Sequence, residues 1–269
     1  MTAPTAGLAH AGQAGLQGKV ALVTGAAGGI GRATCLEMAR QGAQLVMVDR
    51  DVAGGEQIAA EVEAVGGRAF FIPADVSKSP EVRAYVQAAV ANCGRIDAFF
   101  NNAGIEGIAS PIVEYPEDVL DRVISINVKA VFIGLQAVLA VMVRQGFGSV
   151  INTASVAALR ASPMFAPYSM SKHAVLGLTR SAAVEVAQHG VRVNAVCPGP
   201  IDTRMMKSID AMSSPSDPSD SRRAAEGRNP MGRYGTAEEV AGVVCFLASD
   251  AASYVTGAAW TIDGGRTAL

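Results

Sequence analysis

The chain has almost no surplus charge and no basic cluster. Its 269 residues include 22 lysines and arginines against 24 aspartates and glutamates, a net charge of −2. Because nucleic-acid binding relies on a concentrated positive surface, this composition argues against that class of function. The first fifteen residues contain no lysine or arginine, so they lack the charged start of a signal or transit peptide. We therefore expect residues 1–15 to form a flexible N-terminal extension of a cytoplasmic protein.

Cysteine is scarce and irregularly placed. The four cysteines show neither CxxC nor Cys/His spacing, which argues against a metal site and against a disulfide framework. We predict reduced thiols buried in the fold and no bound metal. The cysteines are Cys35, Cys93, Cys197 and Cys245.

The chain also lacks a long uninterrupted apolar run. The run VFIGLQAVLAVMV at 131–143 contains Gly134 and Gln136 and is shorter than the roughly 20 residues that a membrane span requires. We interpret it as a helix buried against a sheet and against a neighbouring subunit.

Short apolar runs alternate with helix-like stretches along the whole chain. Regular alternation of strand and helix predicts a parallel sheet covered by helices on both faces. We predict a single Rossmann-type, doubly wound α/β domain over residues 16–269 with about seven strands. Ligands bind such sheets at the carboxyl ends of the strands. The predicted strands lie at 18–25, 44–50, 70–76, 96–102, 148–155, 191–199 and 258–265.

A glycine-rich turn, TGAAGGIG at 24–31, follows the first predicted strand. Gly25 permits a tight turn, Gly29 lets the backbone approach a diphosphate, and Gly31 allows a helix to pack closely on the strand. The N-terminus of that helix offers N–H donors and the positive end of its dipole to phosphates. The spacing is G-x-x-x-G-x-G rather than G-x-G-x-x-G, so a glycine turn that only packs is the alternative interpretation.

An acid ends the second predicted strand. Asp49 lies eighteen residues after Gly31, where a carboxylate accepts hydrogen bonds from the adenosine ribose and repels a 2′-phosphate. This favours NAD over NADP. Arg50 argues the other way, because a guanidinium binds that phosphate. We predict NAD and keep NADP as the alternative.

Tyr168 and Lys172 are four residues apart, thirteen residues after Ser155. On a helix they share one face, and a nearby ammonium favours ionisation of a phenol, whose pKa is ordinarily about 10. Ser155 is placed to hold a substrate oxygen beside the phenol. The set predicts a device that moves a proton to or from a carbonyl or hydroxyl oxygen. A tyrosine and a lysine at this spacing also occur by chance on solvated helices, so the spacing alone is weak evidence.

Together these motifs resemble those of the short-chain dehydrogenase/reductase family, in its common subgroup of about this length. The resemblance covers nearly everything from Leu16 to Gly265, and its motifs stand in the family's order. They are TGAAGGIG at 24–31, Asp75-Val76, Asn101-Asn102-Ala103-Gly104, Asn127, Ser155, Tyr168, Lys172, Pro198-Gly199-Pro200-Ile201-Asp202-Thr203 and Asp263-Gly264-Gly265.

The resemblance implies four catalytic residues. Tyr168 is expected to exchange the proton, and Ser155 to orient the substrate oxygen. Lys172 is expected to lower the phenol pKa and to bind the nicotinamide ribose, while Asn127 helps to hold a water beside it.

The resemblance also implies the cofactor contacts. Asp75 is expected to contact the adenine ring and Thr203 the nicotinamide carboxamide, while Asn101 stabilises the central sheet. The expected cofactor-binding residues are Gly25, Gly28, Gly29, Ile30, Gly31, Asp49, Arg50, Asp75, Val76, Asn102, Ala103, Gly104, Tyr168, Lys172, Pro198, Gly199, Ile201 and Thr203.

The substrate is expected to be a hydrophobic secondary alcohol or its ketone, because apolar residues dominate the segments around Ser155. By the family resemblance, the insertion at 204–233 closes over the substrate, and its composition indicates a mobile lid lined by methionines. Arg160 or Arg204 would grip a carboxylate in the alternative interpretation. The expected pocket residues are Ile105, Ser155, Ala157, Phe165, Met205 and Met206.

Two other functions are compatible with the motifs. A 3-oxoacyl-[acyl-carrier-protein] reductase shares them, and its preference is usually for NADP. A non-catalytic nucleotide-sensing protein on the same fold is the remote alternative. The resemblance further implies a homotetramer, with long helices around 117–144 and 167–188 at one interface and the C-terminal strand and helix at another.

Overall fold

A seven-stranded parallel sheet forms the centre of the molecule, in a computed structural model that describes residues 15–269. The strand order β3-β2-β1-β4-β5-β6-β7 reverses direction between β1 and β4, as expected for a doubly wound sheet. The predicted fold class and strand number are confirmed. The predicted N-terminal extension lies, except for Gly15, outside the described residues. The strands are β1 Val20–Thr24, β2 Gln44–Asp49, β3 Arg68–Pro73, β4 Ala98–Asn101, β5 Gly148–Thr153, β6 Val191–Pro198 and β7 Ala259–Ile262.

Helices cover both faces of the sheet. Side chains of β1 alternate between the faces, because successive residues of a strand point to opposite sides. Ala21 and Val23 join the apolar core beneath α1, α2 and α9, whereas Val20 and Leu22 join the core beneath α3, α5 and α6. The helices are α1 Gly29–Arg40, α2 Val52–Ala64, α3 Ser79–Cys93, α4 Glu117–Ile124, α5 Ala130–Gln145, α6 Ala166–Val186, α7 Arg204–Ser213, α8 Pro218–Gly227 and α9 Ala237–Ala248.

Three helices were not expected from the sequence. The helix α2 begins after Asp51, whose side chain accepts a hydrogen bond from Gly54 N. The helices α7 and α8 occupy most of the predicted lid, and their N-caps are Thr203 and Asp217. Each of these N-cap residues is a type that favours helix initiation, so a signal for all three helices was present in the sequence.

The stretch Glu117–Gln145 is continuously helical, through α4, a π-helical turn at Ser125–Lys129 and α5. The sequence argument that its apolar part is too short for a membrane span is therefore wrong. Among the described residues, this stretch of 29 residues is the one that is long and apolar enough to cross a bilayer. Its apolar side packs on the sheet, however: Leu135 and Met142 are buried, and Gly134 approaches the ring of Phe99. These contacts are those of a core helix.

Candidate functional site

The glycine turn brings α1 close to the carboxyl end of β1. Gly25 has φ +67°, and a Cβ added there would lie 3.0 Å from both Ala103 Cα and Asn102 Nδ2. A Cβ on Gly31 would lie 2.0 Å from Gly25 O. Both positions require glycine. Gly28 is the N-cap of α1 and provides no side-chain cap, so the first N–H groups of the helix point toward the cleft above the turn.

Asp49 is tied to this turn. Its carboxylate accepts hydrogen bonds from Ala27 N at 2.9 Å and from Asp51 N at 3.0 Å. Two backbone donors orient the carboxylate and leave it further acceptor capacity. Arg50 is exposed. The acid is thus held against the glycine turn, as expected for a ribose-binding residue.

Asp75 and Val76 follow β3 on the same edge of the sheet. Asp75 Oδ1 accepts from Ser77 N at 2.9 Å and Ser77 Oγ at 2.7 Å. Partial burial opposes ionisation of this carboxyl, but the bonds from Ser77 and the charges of Lys78 and Arg50 lower its pKa on balance. Val76 packs against the apolar core. The backbone after β3 is therefore fixed and carries one ionised acceptor.

The paired asparagines at the end of β4 act mainly within the protein. Asn102 Nδ2 donates to Thr24 O at 3.1 Å, and Thr153 Oγ1 donates to Asn102 Oδ1 at 3.1 Å. This clamp joins the ends of β1, β4 and β5. Asn101 is buried and donates to Val131 O and to Asn152 Oδ1. We conclude that Asn102 positions the glycine turn, since its carboxamide is already engaged.

Lys172 and Tyr168 share one face of α6, as the spacing predicts. Lys172 is 4% exposed, and its Nζ donates to Thr153 O at 2.8 Å. The same Nζ lies 5.6 Å from the centroid of the Tyr168 ring. Ser155 is also buried, and its Oγ accepts from Ala157 N at 3.1 Å. These side chains therefore meet at the carboxyl end of β5.

The expected direction of the Tyr168 pKa is wrong for this structure. Burial raises the pKa of Tyr168 above its ordinary value, the Ser155 hydroxyl acts in the opposite direction, and the charge of Glu106 adds to the rise. Burial also lowers the pKa of Lys172 to about 8, against a small opposing effect of Cys197. Loss of hydration is therefore the largest influence on both groups, and it disfavours the charged form of each. The phenol is consequently protonated at neutral pH in this structure.

Asn127 sits in the π-helical turn and is fully buried. Its Nδ2 donates to Ile105 O at 2.8 Å and to Ser171 Oγ at 3.1 Å, while its Oδ1 accepts from Ile105 N at 2.9 Å. A Cβ on Gly104 would lie 3.2 Å from Asn127 Oδ1 and 3.5 Å from Lys172 Nζ. Asn127 and Lys172 therefore face the same point, and Asn127 holds the loop that begins at Gly104.

The loop after β6 brings the far end of the cleft to the glycine turn. Pro198 ends β6, and Gly199 packs against Asp263, where an added Cβ would lie 2.8 Å from Asp263 Cα. Ile201 is buried. A Cβ on Gly29 would lie 2.8 Å from Thr203 Cγ2, so Thr203 borders the glycine turn. Ile30 packs against the apolar core under this turn.

The expected substrate residues lie on four separate segments. Ile105 is half-buried in the loop after β4, and Ala157 is buried in the turn after Ser155. Phe165 is the half-buried N-cap of α6, and Met205 and Met206 are half-buried in α7. Their placement around the ends of β4, β5 and β6 matches the expected pocket, and their role in binding stays a prediction.

The predicted lid is an ordered helix pair rather than an irregular segment. Asp210 of α7 is buried and accepts hydrogen bonds from Ser221 Oγ at 2.9 Å and Tyr234 Oη at 2.9 Å. Arg222 of α8 forms an ion pair with Asp202 and stacks over the ring of Tyr234 at 4.6 Å. These contacts fasten α7 to α8.

The comparison with known proteins identifies the family. A family profile described as enoyl-(acyl carrier protein) reductase matches residues 25–267. Levodione reductase from Leifsonia aquatica is 45% identical over 255 residues, which cover 93% of this chain and 94% of that protein. The chain belongs to the short-chain dehydrogenase/reductase family.

Other members of the family differ in substrate. A 3-oxoacyl-[acyl-carrier-protein] reductase from Thermotoga maritima is 40% identical, covering 93% of this chain and 98% of that protein. Cyclohexanol dehydrogenase from Acinetobacter sp. strain SE19 is 37% identical, and the match covers 93% of this chain and 95% of that protein. A crystal structure of NAD⁺-bound xylitol dehydrogenase, 37% identical, covers 93% of this chain and 99% of that chain with a TM-score of 0.91. Family membership makes the chain an oxidoreductase with a nicotinamide cofactor, as the motifs indicated.

Several residues around the family site were not expected from the sequence. The carbonyl of Thr153 accepts a hydrogen bond from the Lys172 ammonium. Ser171 Oγ accepts from Asn127 Nδ2 and donates to Tyr168 O at 2.7 Å, so Ser171 links these two residues. Met164 adopts φ +68°, and its carbonyl accepts from Ser110 N at 2.9 Å. Of these residues, only Ser171 could have been suspected from the sequence, because it precedes Lys172. Backbone acceptors and positive φ angles cannot be recognised from residue types.

The buried Lys172 predicts a pH dependence of stability. Its pKa is about 8 in the folded chain against 10.5 ordinarily, so the unfolded chain binds more protons between these values. The free energy of unfolding of the wild type, relative to Lys172→Met, should then rise between pH 8 and 10.5, by up to about 3 kcal/mol. Chemical denaturation of both proteins across this range measures the difference. A difference that is constant or falls with pH would contradict the assignment.

Proposed function

We propose that the protein is an NAD(H)-dependent oxidoreductase that interconverts a hydrophobic secondary alcohol and its ketone. The observation that carries the proposal is the meeting of Ser155, Tyr168 and Lys172 at the end of β5, beside the glycine turn that Asp49 and Asn102 hold. Two relatives support a hydrophobic alcohol or ketone as the substrate class: levodione reductase and cyclohexanol dehydrogenase.

The residues around the glycine turn fit a dinucleotide. Gly25 and Gly31 permit the close backbone contacts that shape the turn, and the N-terminus of α1, which Gly28 leaves without a side-chain cap, supplies N–H donors for a diphosphate. The half-buried carboxylate of Asp49 suits the ribose hydroxyls. When bound, the nicotinamide supplies or accepts the hydride, and its oxidised form adds positive charge near the phenol.

Tyr168 carries the proton in our proposal. In reduction, the protonated phenol donates to the oxygen of the ketone as negative charge develops there. In oxidation, the phenolate accepts the hydroxyl proton of the alcohol. Ser155 Oγ orients that same oxygen and stabilises its charge. The Lys172 ammonium, held by Thr153 O, stabilises the phenolate that forms in reduction.

Asn127 has a positioning role in this scheme. It holds the backbone of Ile105 through two hydrogen bonds and faces the same point as Lys172. A water bridging this asparagine and Lys172 would extend the proton path, and we retain it as part of the proposal.

Replacement of Tyr168 by phenylalanine removes the transferable proton but leaves the ring. Turnover should fall by at least about a hundredfold, the usual effect of a general acid or base, while the Kd for NADH changes by less than about twofold. Steady-state kinetics on a panel of cyclic and aryl ketones, with NADH titration, measures both. Tyr254→Phe is the matched control, since Tyr254 is fully exposed. Substantial activity in Tyr168→Phe would remove the proposed proton carrier.

Asp49 should determine the choice of coenzyme. Asp49→Asn removes the charge that opposes a 2′-phosphate, so the ratio of kcat/KM with NAD to that with NADP should fall at least about tenfold. Asp51→Asn removes a charge two residues away and retains a good N-cap for α2, so its ratio should match the wild type. A wild-type preference for NADP would contradict the assignment outright.

An acyl-carrier-protein reductase is the second candidate. It is favoured by the description of the matching family profile and by the Thermotoga maritima relative. Asp49 argues against it, because its carboxylate opposes the NADP that this activity usually requires. Rates on an acetoacetyl thioester with NADPH, compared with a cyclic ketone and NADH, discriminate between the two. Tight NAD binding without turnover of any substrate would instead favour a nucleotide sensor.

We further propose a cytoplasmic homotetramer. Large apolar side chains are exposed along the two helices expected at one interface: Phe132 of α5 is 48% exposed, and Met170 and Val184 of α6 are 50% and 80% exposed. Such a stripe is typical of a subunit contact. The described cysteines are all free, which agrees with a reducing compartment.

Light scattering measures the assembly directly. Four chains of 27.6 kDa give a mass of about 110 kDa with closed symmetry. Phe132→Glu should lower that mass, because a buried carboxylate destabilises the contact. The control Phe147→Glu alters an exposed aromatic outside α4, α5 and α6 and should leave the mass unchanged. A wild-type mass of one chain would overturn the proposal.

A further inference from the structure

Three arginines from distant parts of the chain meet beside the segment that carries Ser155. Arg160 follows the short turn Val156–Ala158, and its Nη1 donates to Arg266 O at 2.7 Å. Arg266 Nη1 donates in turn to Ala225 O of α8 at 3.3 Å. Arg228 caps the C-terminus of the same helix, three residues after Ala225. We call Arg160, Arg228 and Arg266 the arginine cluster.

The cluster has no carboxylate partner. Within residues 15–269, none of its three guanidinium groups lies within 4 Å of an aspartate or glutamate oxygen. Neighbouring arginines, in contrast, form ion pairs with carboxylates. The adjacent Asp263 is already engaged, because its oxygens accept from Gly265 N, Thr267 N and Thr267 Oγ1. The paired neighbours are Arg222 with Asp202 and Glu226, Arg223 with Asp217 and Asp220, and Arg233 with Glu239.

The three positive charges repel one another at the central member, Arg266. Burial lowers the pKa of Arg266, the charges of Arg228 and Arg160 lower it further, and Tyr234 and Asp263 oppose the shift. Arg160 and Arg228 are exposed, so the cluster offers accessible positive charge that attracts an anion. The negative end of the α8 dipole compensates only part of one charge.

The cluster joins two segments that carry expected substrate residues. Arg160 follows Ser155 by five positions in the chain, just beyond the short turn Val156–Ala158. The helix α8 belongs to the helix pair whose first member carries Met205 and Met206. Guanidinium forks match the geometry of carboxylate, sulfonate and phosphate oxygens.

We propose that the arginine cluster is a subsite for an anionic group on the substrate, at the end opposite the reacting carbon. This inference rests on the proposed function. It narrows the substrate class to oxo acids, or their sulfonate or phosphate counterparts, in which an apolar spacer of several carbons separates the ketone or alcohol from the anion. The apolar pocket residues would hold that spacer.

A series of ω-carboxylate methyl ketones tests the subsite. 4-Oxopentanoate, 6-oxoheptanoate and 8-oxononanoate differ in spacer length, and their methyl esters are the neutral matches. We expect kcat/KM with NADH to favour the acid over its ester by about tenfold or more at one spacer length, the effect of one charge-assisted contact. Esters that react as well as the acids at every length would overturn the substrate assignment.

Arginine variants test whether the cluster causes the preference for the acid over its ester. In Arg160→Gln and Arg228→Gln, the ratio of kcat/KM for the preferred acid to that for its ester should fall about tenfold. Arg223→Gln is the matched control, since Arg223 lies on α8 and is paired with Asp217 and Asp220, and it should keep the wild-type ratio. An equal fall in the control, or an unchanged ratio in both cluster variants, would refute the subsite.

A measurement without turnover separates this inference from the proposed function. Sodium sulfate should raise the Tm of the wild type more than that of Arg228→Gln, when sodium chloride at equal ionic strength serves as the reference. If no ketone is reduced but the sulfate effect is seen, the proposed function fails and the anion site stands. Identical sulfate effects in both proteins would show that the cluster binds no anion.

Discussion

The hydrogen bond from Lys172 Nζ to Thr153 O fixes a positive charge in the interior, at the carboxyl end of β5. Burial disfavours the charged form of a lysine, and it lowers the pKa of Lys172 to about 8. At neutral pH a pKa of about 8 leaves the ammonium mostly charged, and α6 places Tyr168 one turn away from it. Under the proposed function, the proton chemistry therefore depends on a carbonyl that belongs to the sheet itself.

Hydrogen bonds along the same edge of the sheet connect the Lys172 ammonium to the glycine turn. Thr153 Oγ1 donates to Asn102, and Asn102 donates to Thr24 O beside the glycine turn. The Asn102 side chain thus joins β5, whose Thr153 carbonyl holds Lys172, to β1, which precedes the glycine turn. Movement of either strand end would disturb both halves of the site, so the backbone at this edge must be rigid.

The fold, and the meeting of Tyr168 and Lys172 on one helix face, could be predicted because each leaves a local pattern, whereas the catalytic roles of these residues stay predictions. Apolar runs alternate with helices, Gly25 and Gly31 mark close backbone approaches, and Tyr168 and Lys172 share one helix face. The direction of the Tyr168 pKa could not be predicted, since it depends on burial and on Glu106, which the fold alone brings near. The helices α7 and α8 were missed because their segment is polar on average and rich in serine, proline and aspartate. Ser221 and Tyr234, the partners that bury Asp210, come from other parts of the chain.

Substrate specificity is the least predictable property for the same reason. The segments around Met206, Arg228 and Arg266 lie outside the βα alternation, and their contacts join residues that are far apart in the chain. Met231 N donates to Gly264 O, the Asn229 carboxamide lies close to Gly264, Pro230 packs on Gly265, and Arg266 donates to Ala225 O. The helix pair is therefore anchored on the residues after β7. Substitutions in that C-terminal segment should therefore alter the helix pair without contacting Tyr168, Lys172 or the glycine turn, so under the proposed function specificity and chemistry can change separately.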